Sequence, residues 1–306
     1  MLMTLLHRPY VFLFLLAFLV LGKIYWGWKK TIIWLVIGYV IAWASEFSSI
    51  HNGFPYGLYH YIYENMRGEL MVFGVPFWDS LSYPFMIFAG YATAEFILGM
   101  SLRGVKRRSN LPNALEPGGL PRRSTQRIEC SARNDIPAAF LGAILTMLLD
   151  IIIDPLTVLG DKWFLGKVYY YPNGGQYFGV PLTNFAGWFL VPLMVIIVFQ
   201  LVMSFPYYSC HPRESGDPVN TRDSRLRGND TAALTHQRTP PLLPRRAGNA
   251  LTHFFNPLFY LAIALFNIAI TMWIGETLLA SIDCMLLAPV IGLLIWRIKS
   301  SLITSH

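Results

Sequence analysis

The sequence predicts an all-α, polytopic membrane helix bundle of about seven transmembrane helices, and three observations carry that reading. The 306 residues are 54% hydrophobic and only 13% charged, with a mean hydropathy of +0.45. Apolar runs recur that are long enough to cross a bilayer core, which takes roughly 20 residues of helix and exceeds what a soluble core needs. The basic residues gather between these runs rather than within them, as the positive-inside rule requires. The formal net charge of +7 therefore reads as membrane topology, and no nucleic-acid partner is expected.

The candidate spans are residues 9–26, 31–46, 81–101, 137–154, 183–205, 256–275 and 281–298. No small-residue cleavage site follows the first, so it reads as a retained helix rather than a signal peptide. The second and fourth are short, but each continues into an apolar, aromatic loop that can extend it. Lys23, Lys29 and Lys30 follow span one, and Arg103, Lys106, Arg107 and Arg108 follow span three. The arginines from Arg213 to Arg246 follow span five, and Arg297 and Lys299 follow span seven. All four groups share one side if the N-terminus is outside and the C-terminus cytoplasmic; only His7 and Arg8 sit against this. Loops 47–80 and 155–182 then open together on the non-cytoplasmic face.

Residues 103–135 and 207–252 differ in kind, being rich in Arg, Pro, Ser, Asn and Gly with little apolar periodicity. They are expected to be polar, disordered cytoplasmic insertions in a single membrane domain over residues 1–306. The run from Pro212 to Pro218, with Ser224-Arg225-Leu226-Arg227-Gly228-Asn229-Asp230, looks like a translated dispersed repeat element. The other reading is a basic patch for anionic lipid. Cys130, Cys210 and Cys284 show neither metal spacing nor an even count, so neither a metal site nor a disulfide framework is expected.

Two stretches share one design. The first runs from Glu46 through an aromatic loop to Phe73-Gly74-Val75-Pro76, the second from Asp150 and Asp154 to Phe178-Gly179-Val180-Pro181. Each goes from an in-to-out helix through its loop into an out-to-in helix. That makes an internal parallel repeat, whereas many secondary transporters carry inverted ones, though parallel repeats occur there too. A carboxyl group near hydrocarbon is costly to ionise and so faces a protein interior or cavity. Two acid-ended units on one face therefore suggest one pocket built from two halves.

Asp150 and Asp154 are four residues apart and share a helical face. Asp154 precedes Pro155, which marks a helix end and allows a plain interfacial stop. Asp150 lies a turn deeper and is the stronger candidate. Glu46 holds the matching place in the first unit, with an interfacial cap as its alternative. Asp79 reads first as the N-cap of the third span and second as a site member. Glu95, deep in that span, reads as a hydrogen-bond partner for another helix. His51 and His60 flank an aromatic run with no third ligand at metal spacing, and His51 is kept as a proton shuttle. Most of the aromatics, among them Tyr56, Tyr59, Trp78, Tyr177 and Trp188, are accounted for by an interfacial belt. The sharper reading is a long apolar groove for a rigid lipid, with tyrosine hydroxyls and Asn184 as its few polar points. The repeated Gly-Val-Pro turns fit a loop that dips back against the bundle.

Glu46 with Gly53-Phe54-Pro55-Tyr56-Gly57-Leu58-Tyr59, then Gly74-Val75-Pro76 and the stretch from Asp150 to Pro155, resemble the integral-membrane carotenoid biosynthesis proteins. The most specific block is Tyr177-Phe178-Gly179-Val180-Pro181-Leu182-Thr183-Asn184-Phe185-Ala186-Gly187-Trp188. That family includes carotenoid hydratases acting on bisanhydrobacterioruberin and on gamma-carotene-type ends. The resemblance covers most of the chain apart from the two polar insertions. It implies hydration of the terminal trisubstituted alkene of a linear carotenoid within the bilayer, giving a tertiary alcohol. It also implies a bacterial inner membrane location, with other carotenoid-pathway enzymes as candidate partners.

Chemistry alone then assigns roles. Such a hydration needs a protonated carboxylic acid, a carboxylate or aromatic face beside the developing tertiary cation, and a polar group to position water. Asp150 or Glu46 is the expected proton donor, and the other carboxylates among Glu46, Asp150 and Asp154 stabilise charge or orient water. Tyr177 and Asn184 hold that water, while His51, Tyr56, Tyr59, Trp78, Asp79 and Trp188 complete the substrate surface. No cofactor is required, and no glycine-rich nucleotide motif follows a strand-like run. Two other readings stay open. A membrane lycopene-type cyclase begins with the same protonation but closes a ring. A non-catalytic carotenoid- or lipid-binding membrane protein would use the aromatics and not the acids.

Overall fold

The computed structural model describes residues 2–99, 136–162, 166–204 and 248–303. The expected insertion 103–135, and residues 207–247 of the second, lie outside the described residues. Eight helices follow in chain order among those described: α1 (Leu2–His7), α2 (Pro9–Trp26), α3 (Trp28–Asn52), α4 (Phe77–Ile97), α5 (Ile136–Val158), α6 (Leu182–Ser204), α7 (Gly248–Trp273) and α8 (Thr277–Ile303). Four two-residue strands lie in the loops: β1 (His60–Tyr61), β2 (Met71–Val72), β3 (Val75–Pro76) and β4 (Tyr169–Tyr170). The chain is an integral membrane protein folded as an all-α bundle, and its seven long helices stand where the seven spans are expected.

Six of the seven are long and apolar enough to cross a membrane. The exception, α4, packs against α2, α3, α5 and α7, and almost every residue from Trp78 to Ile97 is buried. A helix sheltered on all sides can carry Asp79, Ser80, Thr93 and Glu95 without presenting them to lipid. Glu95 accepts a hydrogen bond from the Tyr25 hydroxyl of α2 at 2.7 Å, the interhelical role expected of it.

Two boundaries move in ways that matter for the acids. Helix α3 runs six residues past Glu46 and stops at Gly53, whose φ of 81° suits a glycine C-cap. Helix α5 continues through Pro155 to Val158, which corrects the expected end at Asp154. Pro155 forgoes the backbone bond to Ile151 O, yet the helix carries on beyond it, with Leu159 N donating to Pro155 O at 3.1 Å. The Asp154 carbonyl there accepts from Thr157 Oγ1 at 2.7 Å. Helix α7 starts at Gly248, so residues 248–252, read as the tail of an insertion, are helical.

The two loops meet at one end of the bundle. Strand β1 pairs antiparallel with β4, matching Tyr61 to Tyr169, and Ile62 N donates to Val168 O at 2.8 Å. Each Phe-Gly forms a two-residue turn with positive φ at both positions: 50° and 83° at Phe73-Gly74, 47° and 88° at Phe178-Gly179. That is the type I′ requirement, and glycine meets it without the penalty other residues carry. The first turn closes the β2–β3 hairpin. The second is closed by Tyr177 N to Val180 O at 3.0 Å and Val180 N to Tyr177 O at 2.8 Å. The first hairpin folds back along α3, where Trp43 Nε1 donates to Val72 O at 3.1 Å, while the second stays beside Val158 at the end of α5.

An ion pair between Lys162 and Glu276 brings the α7–α8 turn to the same end. Arg8, which sits against the orientation inferred from the other basic residues, is 2% exposed and pairs with Glu69 through Nε and Nη2 at 3.2 and 3.0 Å. Its charge is neutralised inside the protein rather than at a headgroup.

Candidate active site

Four carboxyl groups converge beneath the paired loops. Glu46, on α3, is buried and accepts from the Tyr83 hydroxyl of α4 and, at 3.3 Å, from Tyr61. Tyr61 also donates to Asp79 Oδ2 at 2.6 Å, and its hydroxyl lies 3.3 Å from that of Tyr59. A phenol has one proton, so the Glu46–Tyr61–Asp79 bridge is complete when one of the two carboxyls contributes a second.

On the other side, Asn184 of α6 donates from Nδ2 to Asp150 Oδ2 at 2.8 Å and to Asp154 Oδ2 at 2.6 Å. An amide nitrogen carries two protons, one for each carboxyl. Asp154 accepts a further bond from Tyr169 at 2.7 Å. Asp150 is fully buried, and its Oδ1 has no hydrogen-bond partner.

Tyr61 and Tyr169 hold these acids from the loops. Burial first, and then the adjacent carboxylates, push both hydroxyls well above the ordinary phenol range, so they remain donors. Each stands fifteen residues after the acid it holds, Glu46 and Asp154 respectively. That shared spacing was present in the sequence and would have singled out both tyrosines.

Asp79, Asp150 and Asp154 open onto a cavity of about 100 Å³ between α2, α4, α5, α6 and α7, walled otherwise mainly by Trp78, Trp188, Tyr169 and apolar side chains. The volume admits several waters or the tip of an apolar chain. Glu46 does not border it and is joined to Asp79, on its wall, through Tyr61. Asp79 is the third residue of α4 and makes no capping bond, which corrects its first reading; the helix N-cap is Pro76. The Arg8 guanidinium lies 4.6 Å over the Trp78 ring, a cation–π contact that orients this cavity wall.

The structure thus gathers Glu46, Tyr59, Trp78, Asp79, Asp150, Asp154, Asn184 and Trp188 in or around one site. Tyr56 lies behind the cavity, with its hydroxyl 3.0 Å from Ser45 Oγ and its ring near those of Tyr83 and Trp188. A Cβ at Gly187 would come within 2.8 Å of Tyr56 Cε1, so the glycine of the second block makes room for the first loop. Tyr83 and Trp188, each seven residues beyond its unit's proline, stack with centroids 4.2 Å apart. Two expected members stand elsewhere. His51 is exposed, its Nδ1 2.7 Å from Phe47 O, and Tyr177 points away from the cavity toward α8. Asn184, expected to hold water, uses its amide nitrogen to clamp two carboxyls.

A sequence model of the family described as carotenoid biosynthesis protein matches residues 7–217, which take in α2 to α6 and both loops. No curated protein and no solved structure matches the chain.

Proposed function

The chain belongs to the carotenoid biosynthesis protein family, and on that premise we propose that it hydrates the terminal trisubstituted alkene of a linear carotenoid to a tertiary alcohol. The carrying observation is that Asp79, Asp150 and Asp154 share the wall of a small, mostly apolar and aromatic cavity inside the bundle. A bare lipid-binding pocket has no use for three carboxyl groups, whose burial is costly.

Asp150, which lines the cavity and whose Oδ1 has no hydrogen-bond partner, is the proton donor. Its proton adds to the less substituted alkene carbon, and the π electrons form that C–H bond, leaving a tertiary cation. The carboxylates of Asp79 or Asp154 and the faces of Trp78 and Trp188 stabilise this cation. Water attacks it through oxygen, and the proton released returns to the carboxyl set. Nothing is oxidised or reduced, so no electron carrier is needed. Asn184 keeps Asp150 and Asp154 side by side, and Glu46 acts behind the cavity through Tyr61. The protein works in a bacterial inner membrane with its N-terminus outside, taking its carotenoid from the bilayer.

Mass spectrometry of carotenoids from a lycopene-producing bacterium expressing this chain tests the reading. Products heavier by one or two waters, lost on Asp150→Asn, are expected. An isomer of unchanged mass with fewer open ends would instead identify a cyclase. Bound but unaltered carotenoid would identify a binding protein.

A further inference from the structure

Asp283 lies in α8, outside the stretch matched by the family model. It is fully buried, and neither carboxyl oxygen has a hydrogen-bond partner. A buried carboxyl without donors is expensive, and native proteins relieve it with a proton or ordered water. Two polar groups face it. The Tyr177 hydroxyl of the second loop is also buried without a partner, and burial together with the Asp283 charge pushes it up to about 12. Thr271 of α7 comes within reach of the Asp283 carboxyl, and its one proton also has Asn267 O as an acceptor at 3.0 Å. One hydroxyl cannot serve both acceptors at once. The fold brings a single, contested proton to a carboxyl that needs donors.

The polar file continues in both directions. Asn267, one turn along α7 from Thr271, donates its amide to Ile263 O at 2.8 Å and forms part of the cavity wall. At the other end the α7–α8 turn carries Glu276, ion-paired with Lys162, whose side chain is half exposed. Asn267, Thr271, Asp283 and Tyr177 therefore lead from the cavity to the loop end of the bundle, through helices whose outer faces carry Leu265, Met272, Leu278 and Met285.

We propose that Asp283, Thr271 and Tyr177 line a water path that feeds the cavity at Asn267 from the loop end. Water there gives Asp283 its missing donors and Tyr177 its missing acceptor. The purpose of the path rests on the hydration reading, because that reaction consumes water in a mostly apolar and aromatic cavity inside the bundle. Its geometry does not.

The test uses the full chain in membranes with Cys130, Cys210 and Cys284 replaced by serine and Asp283→Cys added. Silver ion is the probe, being small enough for a water-wide path and reactive only with hydrated thiolate. Its extent is read as protection from maleimide after unfolding. The comparator is a chain keeping only Cys284, which is exposed on the neighbouring face of α8. The cysteine at 283 should react about tenfold or more faster, because the thiolate is the reactive species. Reaction no faster than at Cys284 overturns the proposal. In the otherwise unaltered chain, Asp283→Leu should lower alcohol yield about tenfold at equal protein level, and Asp283→Asn should recover most of it. An undiminished yield in the leucine variant overturns it too. If the parental chain makes no alcohol, the hydration reading fails while the silver experiment still decides the path.

Discussion

The two acid-and-loop units share helix order, the Phe-Gly turn and the fifteen-residue step from acid to tyrosine, yet they hold their carboxyl groups differently. Three residues beyond each unit's proline stands Asp79 in one and Asn184 in the other. In the first unit, two acids on different helices share the single proton of Tyr61. In the second, two acids on one helix each receive a proton from one amide, and Asp154 has Tyr169 besides. The second unit is thus a clamp that leaves Asp150 Oδ1 without a partner and sets both its acids on the cavity wall, while the first sends Asp79 to the cavity and keeps Glu46 behind it. A repeated frame supplies the enclosure, and a departure from the repeat at one position decides how the carboxyl groups are held.

The sharpest test of that asymmetry is a pair of amide substitutions. Asp150→Asn should reduce alcohol formation by about 10²–10⁴-fold, the usual range for losing a general acid. Glu46→Gln, behind the cavity, should cost no more than about tenfold on the same scale. Equal losses in isolated membranes would break the comparison. Next in size is Asn184→Asp, which makes the second unit like the first. It removes the donor shared by Asp150 and Asp154 and should lower stability by ~1–3 kcal/mol per orphaned group, seen as a lower Tm in detergent. Asp79→Asn, which makes the first unit like the second, should destabilise less because Tyr61 still has a carbonyl oxygen to meet.

Smaller effects probe the loops. Tyr61→Phe and Tyr169→Phe each delete one donor to a buried carboxyl, for about 1–3 kcal/mol. Tyr61→Phe should cost more activity, since it removes the hydroxyl that joins Glu46 to Asp79 at the cavity. Smallest are Gly74→Ala and Gly179→Ala, each about 1–2 kcal/mol for a side chain at left-handed φ. Equal shifts in thermal unfolding would show that the turns are equivalent. A larger loss at Gly74 would show that the hairpin lying along α3 adds stability of its own.

Much of this was legible in the chain. Apolar runs set all seven helices, because helix formation in lipid depends on local length and polarity. The repeated Phe-Gly-Val-Pro marked both turns, and Glu46, Asp150 and Asp154 were visible as acids at the ends of membrane-length segments. Other residues were misplaced for physical reasons. Pro155 suggested a stop that Thr157 and the nearby helix end made unnecessary. Arg8 read as a charge on the wrong side because Glu69, 61 residues away, was unknown as its partner. His51 and Tyr177 were grouped with the site by proximity in the chain, yet one faces outward and the other faces α8.

The sequence by itself determined a membrane-spanning helical bundle with two acid-bearing, turn-closed halves, since hydrophobic length, glycine turns and acid placement are local properties. Only the tertiary structure decided which acids meet the cavity. Asn184 reaches Asp150 across 34 residues, and β1 meets β4 across more than a hundred. Such pairings depend on how helices pack around α4, which no local pattern encodes.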